Sequence, residues 1–188
     1  MKFSIAMATY NGSNYVLEQL ESFAMQTYQP YELVVCDDGS TDNTVEIIEE
    51  FAKKVSFKVS IYKNEKNLGY AQNFAKAISL CSGDWIALSD HDDVWVEDKL
   101  LKINEVIENN IHIKIIIHDY VLTDAYLAPK KITKMHRLEL AGESEKDMIS
   151  GCATVFSNEI TNLVLPIPQS VRSHDTWIHA FFKYNEDL

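Results

Sequence analysis

Through the first half of the chain, short apolar runs alternate with stripes of apolar residues spaced three and four apart. Phe3 to Ala8 reads as a strand, and Thr9-Tyr10-Asn11-Gly12 as the turn that ends it. Val16, Leu17, Leu20, Phe23 and Ala24 then gather on one face of a helix. Leu33-Val34-Val35-Cys36 is apolar throughout, the pattern of a strand covered on both faces. Gly39-Ser40-Thr41 predicts a turn and a helix N-cap, with Asp42 in the first turn and Val45, Ile48, Phe51 and Ala52 facing inward. Phe57, Val59 and Ile61 alternate with Lys58 and Ser60, which places a third strand nearer an edge.

Tyr70, Phe74, Ala77, Ile78 and Cys81 mark a further helix, and Trp85 to Leu88 a fourth strand. Val96, Leu100, Ile103 and Ile107 follow at helical spacing, and Ile113 to Ile117 gives a fifth strand. Repeated strand–helix alternation of this kind predicts an α/β fold, a mostly parallel central sheet with helices on both faces. After Tyr120 the pattern decays. The stretch 128–146 is polar, contains Pro129 and shows no period, so it reads as a long functional loop. Order resumes at Met148 to Phe156, with a short helix from Asn158 to Leu165 and a last one starting at His174 or Asp175.

The length of 188 residues fits one domain, and the 46% apolar content suffices for a core. Charge narrows the partners. With 17 Lys and Arg against 28 Asp and Glu, the net charge is −11. That excludes a general nucleic-acid binder, which needs a basic face, and polybasic attachment to an anionic membrane. Cys36, Cys81 and Cys152 are dispersed and odd in number, which fits neither a zinc site nor a disulfide framework. The apolar N-terminal run is too short for a signal-peptide core, and the run at 111–117 is interrupted by His112 and Lys114. The expectation is a cytoplasmic domain.

Acidic residues fall where an open parallel sheet binds its ligands, at the carboxyl ends of strands. Asp37-Asp38 follows the second strand and Asp90-His91-Asp92-Asp93 the fourth. The first pair fits a turn plus a helix cap as well as it fits a site. The second group is different, because three carboxylates within four residues repel one another unless a cation or strong donors offset them. Asp90 and Asp92 point the same way in extended geometry and can share a ligand. Hard oxygens suit Mg²⁺ or Mn²⁺, with a substrate phosphate completing the shell. The chain has no GxxxxGK[ST] or GxGxxG loop and only two arginines, Arg137 and Arg172. A nucleotide diphosphate would therefore be held through the cation, which also stabilises it as a leaving group.

Ala8-Thr9-Tyr10-Asn11-Gly12, Asp37-Asp38-Gly39-Ser40-Thr41-Asp42, Asn67-Leu68-Gly69 and Ser89-Asp90-His91-Asp92-Asp93-Val94-Trp95 stand in this order. Together with Gly151-Cys152-Ala153 and His174-Asp175-Thr176-Trp177 they span nearly the whole chain. The set resembles the family-2 inverting, nucleotide-sugar-dependent glycosyltransferases of GT-A fold, closest to bacterial, rhamnosyltransferase-like enzymes that build surface polysaccharides. The resemblance implies metal-dependent transfer from a UDP- or dTDP-sugar to a hydroxyl of a glycan or lipid-linked acceptor, with peripheral association at the inner face of the membrane through that acceptor. It implies one domain over 1–188, with a nucleotide-sugar half at about 1–95 and an acceptor-side half at about 96–188. Members of the family normally continue beyond the position matching the last motif, so the acceptor half is expected to be incomplete.

Residue roles carry over by position. Ala8, Thr9 and Tyr10 would line the nucleoside pocket, with Tyr10 against the base, and Asn67 and Gly69 would belong to the same nucleotide-sugar site. Asp38 would accept the imino proton of uracil or thymine, Asp90 would face ribose and metal, and Asp92 would be the principal metal ligand. Asp175 would be the general base for the acceptor hydroxyl, oriented by His174, with Trp177 either walling the acceptor site or packing in the core. Gly151-Cys152-Ala153 would permit close backbone approach, with Cys152 simply buried. His91 reads as a bystander. Lys134, His136 or Arg137 would touch phosphate if the 128–146 loop closed, and a solvated loop is the plainer reading. Two other classes stay open: a non-catalytic nucleotide-sugar-binding remnant, and a phospho-acceptor signalling domain, which the position of the acid pair after the second strand disfavours.

Overall fold

A computed structural model describes residues 1–124 and 127–184. Four strand–helix units open the chain: β1 (Phe3–Thr9) and α1 (Val16–Ala24), β2 (Glu32–Asp37) and α2 (Thr44–Ala52), β3 (Lys58–Lys63) and α3 (Tyr70–Ser79), β4 (Trp85–Ser89) and α4 (Lys99–Asn109). Then come β5 (Ile115–Ile117), β6 (Val121–Thr123), β7 (Pro129–Thr133), α5 (Lys134–Leu140), β8 (Thr154–Ser157), α6 (Thr161–Val164) and α7 (His174–Tyr184). The main sheet runs β3-β2-β1-β4-β8-β5. β1 pairs in parallel with both β2 and β4, and β2 in parallel with β3.

Strand alternation divides the core between the two faces of this sheet. Phe3, Ile5 and Met7 of β1 join Leu33, Val35 and Ala87 under α1, α2 and α4. Ala6, Ala8, Cys36, Ile86 and Leu88 face the opposite way, under α3, α6 and α7. Every residue of β1, β2 and β4 is buried, which is why these runs are almost continuously apolar. The polar residues among them are satisfied, as at Glu32, whose buried carboxylate accepts from Ser4 Oγ at 2.8 Å, Ser82 N at 2.7 Å and Ser82 Oγ at 2.8 Å. Strand order turns back on itself at β1, so the ends of β1, β2 and β4 open on one crevice.

The expected α/β architecture, a mostly parallel sheet flanked by helices, is present, and five details differ. The parallel sheet ends at β4, because β8 is inserted between β4 and β5 and runs antiparallel to both. The fifth strand shrinks to the half-buried edge Ile115–Ile117. The expected loop at 128–146 contains β7, paired with β6, and then α5, capped by Thr133 Oγ1 accepting from His136 N. Helix α2 begins at Thr44, later than a cap at Gly39-Ser40-Thr41 would place it. Leu17, Ala24 and Val96, expected inward, are exposed. Among the described residues no helix is long and apolar enough to cross a membrane.

Candidate active site

Two turns at the ends of β1 and β2 are stitched into one surface. Asn11 N donates to Ser40 Oγ at 2.9 Å, Thr41 N to Asn11 Oδ1 at 2.9 Å, and Gly12 N to Thr44 Oγ1 at 2.8 Å. Asp37 holds the second turn from within, accepting from Ser40 N at 2.8 Å, Gly39 N at 3.2 Å and Thr9 Oγ1 at 2.9 Å. Gly39 sits at φ +86°, a conformation that favours glycine. Ala8 and Thr9 are buried at the strand end, whereas Tyr10 is 50% exposed over the crevice rim.

Asp38 is almost fully buried, and its carboxylate already has three donors. Leu68 N reaches Oδ1 at 2.7 Å, Asn64 Nδ2 reaches Oδ1 at 2.8 Å, and Gly69 N reaches Oδ2 at 2.9 Å. Asn67 Nδ2 adds a bond to the Asp38 carbonyl at 3.2 Å. The Asn67-Leu68-Gly69 turn is thus moulded onto Asp38, with Gly69 at φ +80°. A carboxylate offers about four acceptor positions, which leaves one on Oδ2 for another partner. Behind it, Asn73 of α3 accepts from Asn64 Nδ2 at 2.9 Å and donates to the Cys36 carbonyl at 2.7 Å. Sequence reading missed this asparagine pair. Nothing in the motif separates a buried, network-forming asparagine from one in a solvated turn.

The acidic segment after β4 is anchored by Gln19 Nε2, which donates to Ser89 Oγ at 2.5 Å. Beyond it the three carboxylates diverge. Asp92 is exposed, while Asp90 and Asp93 turn inward. Ligand-type atoms of Asp90, Asp93 and Cys152 all lie within 4.8 Å of one another. Burial first, then the charges of Asp93, Asp92 and Asp175, pushes Asp90 up to about 7. Burial also raises Asp93, against the Cys152 thiol that donates to it, and Asp93 Oδ2 is buried without a partner among the described residues. Burial and Asp93 push the Cys152 thiol up to about 12, so it stays neutral at ordinary pH. Sequence reasoning counted Asp93 in the acidic group but assigned the ligand roles to Asp90 and Asp92 alone; the structure places Asp93, not Asp92, beside Asp90. His91 packs its ring against Gly12, where any Cβ would overlap it, so the acidic segment rests on the first turn.

Across the crevice, Asp175 opens α7. Its Oδ1 accepts from Thr176 N at 2.7 Å and from Ser173 Oγ, and its Oδ2 from Gly151 N at 3.2 Å. Burial opposes ionisation, but Ser173, His174 and these backbone donors outweigh it and hold the carboxyl below its usual range. His174 makes no hydrogen bond to Asp175. Its ring stacks on Phe74 at 3.8 Å and meets Tyr70 edge-on at 5.7 Å. Burial pushes it down to about 4, so it is neutral at pH 7 and sets the position of α7 by packing. Gly151 is required here, because a Cβ would lie 2.6 Å from His174 Nε2. Trp177 donates to the Val164 carbonyl at 2.8 Å and packs in the core. Lys134, His136 and Arg137 lie on α5.

The arrangement combines a cluster of acids after β4, the stitched turns that carry Tyr10 and Asp38 at the ends of β1 and β2, and an ionised carboxylate at Asp175 close to those acids. The family model Glycosyl transferase family 2 matches residues 4–165. UDP-Glc:alpha-D-GlcNAc-diphosphoundecaprenol beta-1,3-glucosyltransferase WfgD of Escherichia coli is 34% identical over 81% of this chain and 58% of its own. The chain spans about half the length of the curated relatives it matches. Among solved structures, S. aureus TarS 1-349 in complex with UDP superposes with a TM-score of 0.76 at 22% identity, over 95% of this chain and 54% of that one. The mannosyltransferase PcManGT from Pyrobaculum calidifontis, in complex with GDP-Man and Mn²⁺, gives 0.71 at 19% identity, over 93% and 50%. These likenesses establish the GT-A fold.

Proposed function

The chain belongs to glycosyl transferase family 2, and from that premise we propose that it transfers a sugar, with inversion, from a UDP- or dTDP-sugar to an acceptor hydroxyl in surface polysaccharide or glycoconjugate synthesis. One observation carries the reading. Gly151 N donates to Asp175 Oδ2 at 3.2 Å, and the next residue, Cys152, places its sulfur within 4.8 Å of carboxylate oxygens of Asp90 and Asp93, so the Gly151-Cys152 segment brings the acids after β4 and Asp175 together. Reacting groups of a donor held at the first would face a base at the second.

Tyr10 lies against the base, and the remaining acceptor position on Asp38 Oδ2 takes the imino N–H of uracil or thymine. A base presenting only an acceptor there would meet a buried carboxylate and be rejected. Ala8, Thr9, Asn67 and Gly69 shape the pocket around it. The donor set fits Mg²⁺ or Mn²⁺: Asp90 and Asp92 would hold the ion, and the buried, unpartnered Oδ2 of Asp93 is a further hard oxygen beside Asp90. Such an ion, when bound, neutralises the diphosphate and makes it a better leaving group.

Asp175 is ionised at neutral pH and takes the proton of the acceptor hydroxyl as that oxygen bonds to the anomeric carbon. The bond from that carbon to the diphosphate oxygen breaks on the opposite face, which inverts the centre. Gly151 N, Ser173 and Thr176 N fix the carboxylate for this role. WfgD, by its name, takes UDP-Glc and a diphosphoundecaprenol-linked acceptor, which supports a lipid-linked acceptor and work at the inner face of the membrane here as well. Turnover of UDP- and dTDP-sugars by wild type and Asp175→Asn tests the reading. The variant is expected to bind UDP with unchanged affinity and to lose transfer by at least a hundredfold. Equal turnover in the two proteins would overturn it.

A further inference from the structure

The Gly151-Cys152 turn, which joins Asp175 to the acids after β4, is held from two sides. On one side is α7. Gly151 N donates to Asp175 Oδ2 at 3.2 Å, and the His174 ring packs against Gly151. Thr154 Oγ1, which gives its hydrogen to the Ser150 carbonyl at 2.6 Å, lies 2.7 Å from His179 Nε2. On the other side is α4. Its first residue, Lys99, reaches across and donates from Nζ to the Cys152 carbonyl at 3.2 Å.

Lysine is seldom buried, because its ammonium group forfeits hydration. Lys99 is nevertheless only 8% exposed, and among the described residues no carboxylate lies within ion-pairing distance of its Nζ. Nζ stands 3.7 Å over the centre of the Trp95 ring, so the indole supports the side chain while the carbonyl receives its hydrogen. Both footings are fixed. Trp95 N donates to Ser22 Oγ at 3.1 Å and its ring meets Phe23 at 4.8 Å, while Leu100 N donates to Gln26 Oε1 at 3.1 Å. Burial lowers Lys99 to about 7, and the nitrogen donates to a carbonyl with or without its extra proton.

We propose that Lys99 is a positioning residue for the general base: it fixes the Cys152 carbonyl, and with it the short run of backbone that presents Gly151 N to Asp175. The proposal rests on the transferase reading, in which Asp175 takes the acceptor proton. Glycine has the widest backbone freedom of any residue, so the direction of the Gly151 amide is set by what holds its neighbours. Without the Lys99 hydrogen bond the turn keeps its contacts with α7 but loses its fixed distance from α4. The carboxylate is then out of register with the acids after β4, and a displacement of about 1 Å costs on the order of a hundredfold in rate. The loss belongs in kcat, since Tyr10 and Asp38 are held by other turns.

Lys99→Met removes the donor and keeps an unbranched stem over Trp95. Lys99→Gln, whose amide ends one bond short of the carbonyl, gives the same reading should the first variant fail to fold. Amide hydrogen exchange supplies the readout. Serine precedes glycine at Ser82-Gly83 and Ser150-Gly151 alone, so cell-free synthesis with ¹³C-carbonyl serine and ¹⁵N-glycine selects two amides of the full chain. Gly83 N, bonded to Ser4 Oγ at 2.8 Å, is the internal control, and Asp175→Asn identifies Gly151. In the Lys99 variant Gly151 is expected to exchange at least about tenfold faster with Gly83 unchanged, and kcat to fall at least about tenfold with the donor KM within about threefold of wild type. Wild-type exchange at Gly151, equal acceleration of both amides, or faster Gly151 exchange with undiminished kcat would each overturn the proposal while leaving the transferase reading intact. If Asp175→Asn transfers sugar as wild type does, that reading falls and the role of Lys99 falls with it.

Discussion

Gly12 and His91 show how much of this site depends on a single missing methyl group. The His91 ring occupies the space a Gly12 side chain would need, and so seats the acidic segment on the turn that lines the nucleoside crevice. Gly12→Ala is expected to destabilise the fold by about 1–3 kcal/mol, the usual cost of forcing an atom into a packed contact. UDP affinity should fall with it. His91→Ala in the same chain should restore most of both, as urea denaturation and nucleotide titration of the single and double variants would show. His91 stands inside a D-x-D-D motif, where the sequence reads it as a bystander; its packing against a glycine that precedes it by many residues is invisible in sequence. The same holds for Asp38. Its acidity and its place after a strand were legible, but the three donors that moulded a neighbouring turn onto it were not.

At the scale of elements, α3 is the support for that turn. Asn73 ties the helix to the Cys36 carbonyl at the end of β2 and, through Asn64, to Asp38. Asn73→Leu would strip partners from both buried groups, at a cost of about 1–3 kcal/mol. The account expects weaker UDP binding as well as a lower urea midpoint, since Asp38 loses its backing. Stability loss with unchanged affinity would mean that α3 supports the sheet alone. The helices α1 to α4 were readable because each has a single apolar stripe facing one side of a buried sheet. β7 and α5 were not. Pro129, Lys130, Lys131, Lys134 and Arg137 lie mostly in solvent, so the period that identifies an element never develops. Nor does the short Thr154–Ser157 run announce its direction, because four buried residues with an apolar pair at their centre are compatible with either sense of pairing.

For the molecule as a whole, the governing feature is concentrated negative charge at one end of the sheet in a chain that is already at −11. Burial and neighbouring acids raise Asp90 from 3.8 to about 7 in the folded protein. Between those two values the folded state binds more protons than the unfolded chain, so stability of the metal-free protein falls as pH rises across that window. The fall is on the order of a few kcal/mol at most. Asp90→Asn should flatten it, as urea denaturation in EDTA at pH 5 and pH 7.5 would reveal; an identical slope in the variant would place the charge burden elsewhere. The alternation of strands and helices, the crevice and the acidic strand end all follow from local pattern. The reversal of strand direction beyond β4 arises from long-range packing, which no window of sequence contains.

The most direct test of the central claim, that the acids after β4 hold a divalent ion against the diphosphate of an activated sugar, is calorimetric titration of UDP into the protein with Mn²⁺ and again in EDTA, for wild type, Asp90→Ala and Asp92→Ala. The account predicts that EDTA weakens UDP binding to wild type at least tenfold, and that each alanine variant binds in Mn²⁺ about as poorly as wild type does in EDTA. Equal affinity with and without the ion, or undiminished Mn²⁺-dependent binding in both variants, would contradict it.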